Sequence, residues 1–198
     1  MIGILIDSSN ASLVLGISKD EQIIASVDEP AWQRQSELLV DLLAKLLRDN
    51  NIKREDISYV VACKGPGSYT GVRIALTVAK VMAFALNVPL YLLSSLEALK
   101  DPDIPSLCVS NARSKRSYVG IYKGEETLLV DTIWTNEELL SYLQNHPEMK
   151  LCGETDYLGI NSEKPNILAN LNAGNHEKNL QKDVLSAKPV YLKDNYPL

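Results

Sequence analysis

The sequence predicts a mixed α/β protein in which a sheet is covered by helices. Three short apolar segments with strand character open the chain, at residues 2–6, 12–18 and 22–27. Paired leucines recurring every four residues over 33–50 then predict an amphipathic helix. A buried strand pattern over 58–63 leads through a glycine-rich turn into a second helix at about 70–86. Strands followed by alternating helices and strands are typical of the α/β class.

The composition indicates an ordinary globular chain rather than a nucleic-acid binder or a secreted protein. Of 198 residues, 45% are hydrophobic and 23% are charged, and the net charge is −5. This acidic balance lacks the basic footprint of a stand-alone nucleic-acid-binding domain. The three cysteines (Cys63, Cys108 and Cys152) are too few for a disulfide framework and fit a reducing compartment. Because the first residues carry no basic and apolar signal pattern, we predict a cytoplasmic location without a membrane.

The second half of the chain has a less regular pattern. Four further strands are predicted at residues 90–93, 107–110, 118–122 and 128–134. A capping box from Thr135 to Glu138 predicts a helix that ends near residue 144. Residues 154–182 are polar and rich in Asn and Lys, so we expect them to be partly helical and loosely packed. We place the division between two domains near residue 100, which gives segments 1–100 and 101–198.

The turn between the fourth strand and the second helix is the most informative local sequence, reading Gly-Pro-Gly-Ser-Tyr-Thr-Gly over residues 65–71. A helix N-terminus after such a turn offers free N–H groups to an anion. It is neither a Walker A loop nor a dinucleotide fingerprint, because the lysine and the glycine spacing are missing. The same residues also suit a sharp strand-to-helix turn without any ligand.

The helix that follows is apolar on nearly every side, since only Arg73, Thr77 and Lys80 are polar between residues 72 and 86. Such a helix must be covered almost completely. We expect it not to span a bilayer, which takes about 20 apolar residues. It therefore lies in the centre of the domain or faces another subunit, and we favour the subunit contact because a large exposed apolar patch is a liability.

The segment GPGSYTGVRIAL at residues 65–76 resembles the signature of the bacterial TsaB (YeaZ) family of tRNA threonylcarbamoyladenosine biosynthesis proteins. Three other segments are similar to the family: the opening MIGILIDSSNASLVLGI, QSELL at residues 35–39 and KPVYLK at residues 188–193. The resemblance implies an α/β, actin-like and sugar-kinase-like ATPase fold. It implies two ribonuclease-H-like lobes, of which the second is reduced.

The resemblance also implies a role. TsaB-type proteins are non-catalytic partners of TsaD, which transfers a threonylcarbamoyl group from threonylcarbamoyl-adenylate to an adenosine beside the anticodon of tRNAs that read codons beginning with A. The small ATPase TsaE joins the pair, tRNA is contacted only indirectly, and the helices that meet TsaD also allow a homodimer. We assign the partner contact to positions on the two predicted helices: Gln35, Ser36, Glu37, Val40, Arg73, Leu76, Thr77, Lys80 and Phe84. Gln35 replaces the histidine that is usual in the family, and Asn111 replaces an aspartate.

The alternative function is an ATP-dependent kinase or hydrolase of the same fold. Asp7 ends the first strand where such ATPases keep a phosphate-loop carboxylate, but the sequence has no Asp-x-Gly-Gly turn for a second phosphate loop. Weak nucleotide hydrolysis and a nucleotide at the subunit junction therefore stay open. We assign the candidate anion or nucleotide loop to six residues: Asp7, Gly65, Gly67, Ser68, Thr70 and Gly71.

The sequence offers few other residues for catalysis or metal binding. His146 and His176 are the only histidines and stand far apart, so we expect no metal site and no cofactor. Cys63 lies in an apolar strand, where thiols are usually inert. Arg113, with Lys115 and Arg116, forms a basic turn that suits either phosphate contact or a solvated hairpin, and the acidic total favours the hairpin.

Overall fold

The computed structural model describes residues 1–31 and 33–192, so Lys193, the last residue of the KPVYLK segment, lies outside the described part. The first sheet holds five strands in the order β3-β2-β1-β4-β5. Their bounds are β1 (Ile2–Asp7), β2 (Ser12–Lys19), β3 (Gln22–Pro30), β4 (Ile57–Cys63) and β5 (Leu90–Leu93). The first three strands are antiparallel, whereas β4 runs parallel to both β1 and β5. The expected strands are confirmed, and most of them extend by one to three residues.

Two helices cover one face of this sheet and contact each other: α1 (Gln35–Asp49) and α2 (Tyr69–Leu86). The hydroxyl of Ser68 caps α2 by accepting the N–H of Gly71, and Asn87 ends the helix in the left-handed conformation. The buried side chains of both helices join those of β1, β2 and β4 in one apolar core. The leucine periodicity therefore located α1 correctly, and the turn signals located α2.

The opposite face of the first sheet is covered by α4 (Ile167–Asn172), which comes from the far end of the chain. Leu171 is fully buried there beside Leu5 and Val61. The amide nitrogen of Asn170 donates to the carbonyl oxygens of Ala98 (2.9 Å) and Lys100 (2.8 Å). The expectation of loose packing over residues 154–182 is wrong for α4. Its buried leucine packs on the first sheet, and its buried amide is hydrogen-bonded to the segment that follows β5.

The second sheet holds four strands in the order β8-β7-β6-β9. They are β6 (Ser106–Arg113), β7 (Arg116–Lys123), β8 (Glu126–Thr135) and β9 (Lys150–Gly153), and α3 (Asn136–Asn145) packs on one face. This order repeats the first sheet without its fifth strand, which makes the second ribonuclease-H-like lobe the reduced one. The capping box that opens α3 is present as predicted. Sequence patterns missed β9 because its four residues, Lys-Leu-Cys-Gly, include a lysine and a glycine and do not form an apolar run like that of β5.

The division at residue 100 remains a prediction. The two sheets lie on either side of it, but α4, which it assigns to the second lobe, packs on the first sheet. Residues 180–192, here called the C-terminal strap, also return to the first lobe. The N–H of Gln181 donates to Leu90 O (2.8 Å), and the N–H of Val190 donates to Lys64 O (2.7 Å). The first lobe is thus completed by distant parts of the chain.

Candidate functional site

One side of α2 remains apolar and uncovered. Val81 and Phe84 are each 62% exposed, and Arg73 and Thr77 lie on the same exposed side of the helix. We call these four residues the outer face of α2. The guanidinium carbon of Arg73 lies 4.5 Å from the ring centre of Tyr69, a cation–π contact at the start of the helix. The outer face is therefore an ordered apolar surface with a basic end.

The neighbouring helix α1 extends this surface. Val40 is 59% exposed, and Ser36 and Glu37 are exposed in the first turn of α1. The carboxylate of Glu37 pairs with the Arg34 guanidinium at 3.5 Å, a solvent-exposed pair of little energetic weight. The two helices together present exposed apolar side chains that residues 1–31 and 33–192 do not cover.

Three residues assigned to the partner contact are engaged within the chain instead. Leu76 is buried in the core between α2 and the sheet, because it lies on the side of the helix marked by Ala75, Ala79 and Ala83. Gln35 is buried, and its side-chain amide donates to Asn10 O at 3.4 Å. The Lys80 ammonium donates to Leu185 O (2.7 Å) and Ala187 O (2.9 Å) of the C-terminal strap. Leu76, Gln35 and Lys80 thus have partners within the chain, and their contact with a second subunit stays a prediction.

The stripe of small residues in α2 was the sequence signal that separates the two sides. Ala75, Ala79 and Ala83 recur every four residues and are all buried. Small side chains at this spacing let a helix approach its sheet closely, and they lie on one face. Residues half a turn away, such as Val81, face outward.

The glycines of the 65–71 turn are explained by close contacts within the chain. A Cβ atom on Gly71 would lie 1.9 Å from Ser8 O, and one on Gly67 would lie 2.4 Å from Ser9 O. Ser8 Oγ donates to Gly71 O (2.7 Å), and the N–H of Ser68 donates to Ser9 O (2.7 Å). The backbone of Ser8 and Ser9 thus lies against these two glycines on the side where a side chain would stand. Gly65 adopts φ +97°, a conformation that favours glycine.

The predicted phosphate-loop carboxylate is equally enclosed. Asp7 is buried and accepts the N–H of Ser9 at 3.0 Å, and burial raises the pKa of its carboxyl group. A cleft of about 650 Å³ lies between the lobes, and its walls include Gln35, Ser110 and Glu154 but not Asp7. Of the six residues of the candidate loop, Gly67, Ser68 and Thr70 line this cleft.

The two histidines are not brought together. His146 contacts Glu148 (Nδ1 to Oε1, 3.0 Å), while His176 lies 3.8 Å from Glu125. Burial raises the pKa of the Cys63 thiol well above its ordinary value. No group of three or more His, Cys, Asp or Glu side chains suited to a metal ion occurs within residues 1–31 and 33–192.

The basic turn between β6 and β7 is a tight hairpin. Arg113, Ser114 and Lys115 all have positive φ angles, and the Asn111 side chain accepts the N–H of Arg113 at 2.7 Å. Its contact with phosphate stays a prediction.

By length and composition, α2 is the one helix of the described residues that would be able to cross a membrane. Its fully buried Ala75 and Ala79 pack on the first sheet, as in the core helix of a globular domain. Its apolar composition therefore has two sources, the sheet-facing side and the outer face.

Comparisons with known proteins agree on one group of relatives. A family model described as TsaD, tRNA N6-adenosine threonylcarbamoyltransferase, matches residues 24–153. A Bacillus subtilis protein named tRNA threonylcarbamoyladenosine biosynthesis protein TsaB is 33% identical over 132 residues, 65% of this chain and 58% of the relative. A protein of the same name from Buchnera aphidicola subsp. Schizaphis graminum is 28% identical over 130 residues, 63% of this chain and 60% of the relative. The chain thus matches about three fifths of the length of these curated relatives.

Among solved structures, YeaZ from Pseudomonas aeruginosa superposes with a TM-score of 0.75 at 19% identity. The superposition covers 96% of this chain and 99% of that chain. It confirms the actin-like arrangement of two ribonuclease-H-like lobes over nearly the whole length.

Proposed function

Because the chain belongs to the TsaB/YeaZ family, within the wider family of the matched TsaD model, we propose that it acts in the synthesis of threonylcarbamoyladenosine in tRNA as the non-catalytic partner of a TsaD-type transferase. The observation that carries the proposal is the uncovered apolar surface formed by the outer face of α2 and by α1. A monomer has no use for such a surface, whereas a partner subunit buries it.

The energetic argument rests on three exposed apolar side chains. Val81 and Phe84 of α2 and Val40 of α1 each leave about 60% of their surface in water. Complete burial of such a side chain contributes about 1.5–3 kcal/mol, so covering the exposed part contributes about 1–2 kcal/mol for each. A few well-packed apolar anchors of this kind supply most of the free energy of a typical protein interface.

The TsaD-type subunit suits this surface because the two proteins are related. The TsaD model matches residues 24–153, a range that includes both α1 and α2. The transferase family therefore carries a corresponding helix pair. Two related apolar helix pairs pack against each other through the ridges and grooves of their side chains. The same geometry would also allow a homodimer in the absence of the transferase.

The other elements of the proposal are those that the family resemblance implies. The TsaE-type ATPase joins the pair as a third subunit, the transferase contacts the tRNA, and the assembly acts in the cytoplasm. This chain contributes a docking surface and no catalytic group.

The alternative, an ATP-dependent kinase or hydrolase, is less favoured. The cleft between the lobes has the volume of a small-molecule site. However, the Asp7 carboxyl is buried, and the backbone of Ser8 and Ser9 occupies the space beside the glycines. Asp7, Gly65 and Gly71 are thus committed to internal contacts, whereas Gly67, Ser68 and Thr70 line the cleft.

The test is co-purification with the TsaD-type subunit. We expect Val81→Asp to abolish the complex, because a carboxylate would be desolvated against an apolar partner. The matched control is Val130→Asp, at a β8 residue that is 72% exposed on the other lobe and should leave binding unchanged. Equal binding by both variants would refute the proposed surface, and ATP turnover by the isolated chain would favour the alternative.

A further inference from the structure

The C-terminal strap runs directly beside the outer face of α2. Lys80 holds it there, because its ammonium group donates to the carbonyl oxygens of both Leu185 and Ala187. Lys80 precedes Val81 and lies one helical turn before Phe84, and residues four apart are neighbours on a helix surface. Residues 184–186 of the strap form a short turn that contacts α2. The anchored turn therefore lies beside the part of the outer face that Val81 and Phe84 form.

Leu185 is the residue of this turn that points outward. It is 58% exposed, although Ala187 is buried and Val184 packs against the core of the first lobe. The Asp183 carboxylate accepts the N–H of Leu185 at 3.1 Å. The Gln181 side chain donates to Asp183 O (2.9 Å) and to Ser186 Oγ (3.2 Å). Leu185 is therefore an exposed apolar side chain on a fixed backbone, which loses little conformational freedom when it is covered.

We propose that Leu185 is a contact residue for the TsaD-type subunit and that Lys80 is the positioning residue that holds it beside the outer face of α2. The inference rests on the proposed function and extends its docking surface from two helices to three elements.

The size of the helix surface supports this extension. A stable interface uses about 20–30 residues on each side. In the structure, α1 has seven exposed residues and α2 has six, which together are fewer than this number. Several of those on α1 are charged. The strap contacts α2 and is anchored to Lys80, which neighbours Val81 and Phe84 on the helix, so a partner seated on these two side chains is placed to reach Leu185.

The experiment measures binding of the full chain to the TsaD-type subunit by calorimetry. We expect Leu185→Ala to weaken the complex about five- to tenfold and to leave the thermal midpoint of the isolated chain unchanged. The control Leu128→Ala, at an exposed leucine of β8, should bind like the unmodified chain.

Lys80→Met tests the positioning role. It keeps the length of the side chain but removes the donor to both strap carbonyls. We expect weaker binding, and the double variant Lys80→Met, Leu185→Ala should bind no more weakly than the weaker of the two single variants, because both act on one contact. Additive losses would overturn the positioning role, since Lys80 would then act independently of Leu185.

The outcomes separate this inference from the proposed function. If Val81→Asp abolishes binding while Leu185→Ala binds normally, the strap contact is refuted and the proposed function stands. If Val81→Asp binds normally, the proposed function itself fails. If Leu185→Ala changes only the self-association of the chain, measured by its mass in solution, the contact belongs to a second copy and the inference is overturned.

Discussion

Replacement of Gly71 by alanine would place a methyl group where the structure has backbone. The added Cβ would lie 1.9 Å from Ser8 O. Ser8 O is a backbone atom and the Cβ is fixed by the helix backbone, so a side-chain rotation cannot relieve the clash. Separating the two segments would also break the hydrogen bond from Ser8 Oγ to Gly71 O, which is buried. The substitution therefore acts on the contact between the β1–β2 turn and the first turn of α2.

The expected magnitude follows from three terms. Alanine is favoured over glycine inside a helix by about 1 kcal/mol. Overpacking costs about 1–3 kcal/mol, and losing a buried hydrogen bond adds about 1–3 kcal/mol. The net loss is about 1–5 kcal/mol of unfolding free energy, with a centre at about 3 kcal/mol, a large part of the roughly 5–15 kcal/mol of a typical domain.

Urea unfolding followed by circular dichroism measures this loss. Gly124→Ala is the matched control, because Gly124 has φ +55° and no atom lies within 4 Å of the place that its new methyl group would take. It should lose only about 1 kcal/mol, the cost of a left-handed alanine. If Gly71→Ala is as stable as the unmodified chain, or loses no more than Gly124→Ala, the packing explanation of the glycine turn is refuted.

Two further predictions concern buried polar groups. Asn170→Ala should lower the free energy of unfolding by about 2 kcal/mol, because it leaves the carbonyls of Ala98 and Lys100 without their donor. The control Asn145→Ala, on the exposed side of α3, should change the urea midpoint little. Burial raises the pKa of Asp7 above its ordinary 3.8, so the folded state binds the proton more tightly and the stability of the chain falls as pH rises above about 4 and through the raised pKa. Asp7→Asn should flatten this decline in urea titrations at a series of pH values, and parallel curves for the two proteins would contradict it.

The sequence predicted the layered parts of the fold because they depend on local periodicity. Paired leucines every four residues located α1, and a capping box located α3. The short strand β9 has no repeating pattern, and the burial of α4 depends on a sheet formed 100 residues earlier in the chain. Such long-range packing leaves little trace in a local window.

The candidate surface was predicted only in outline for the same reason. The apolar helix was identified, and Leu76 was included in the partner contact. The alanine stripe beside Leu76, which marks the buried side of the helix, was not used to orient it. Lys80 resembles any exposed helix lysine in the sequence. Its partners, Leu185 and Ala187, lie more than 100 residues away, and only the folded chain shows that they are neighbours.

The return of α4 and the C-terminal strap to the first sheet has a consequence for biosynthesis. Chains are made from the N-terminus, and a domain that is contiguous in sequence folds as soon as it leaves the ribosome. Here Leu5 and Val61 stay uncovered until residues near 171 have emerged, and the outer edge of β5 stays unpaired until residue 180 is made. The nascent first lobe therefore keeps one face exposed to water until these later residues have been translated.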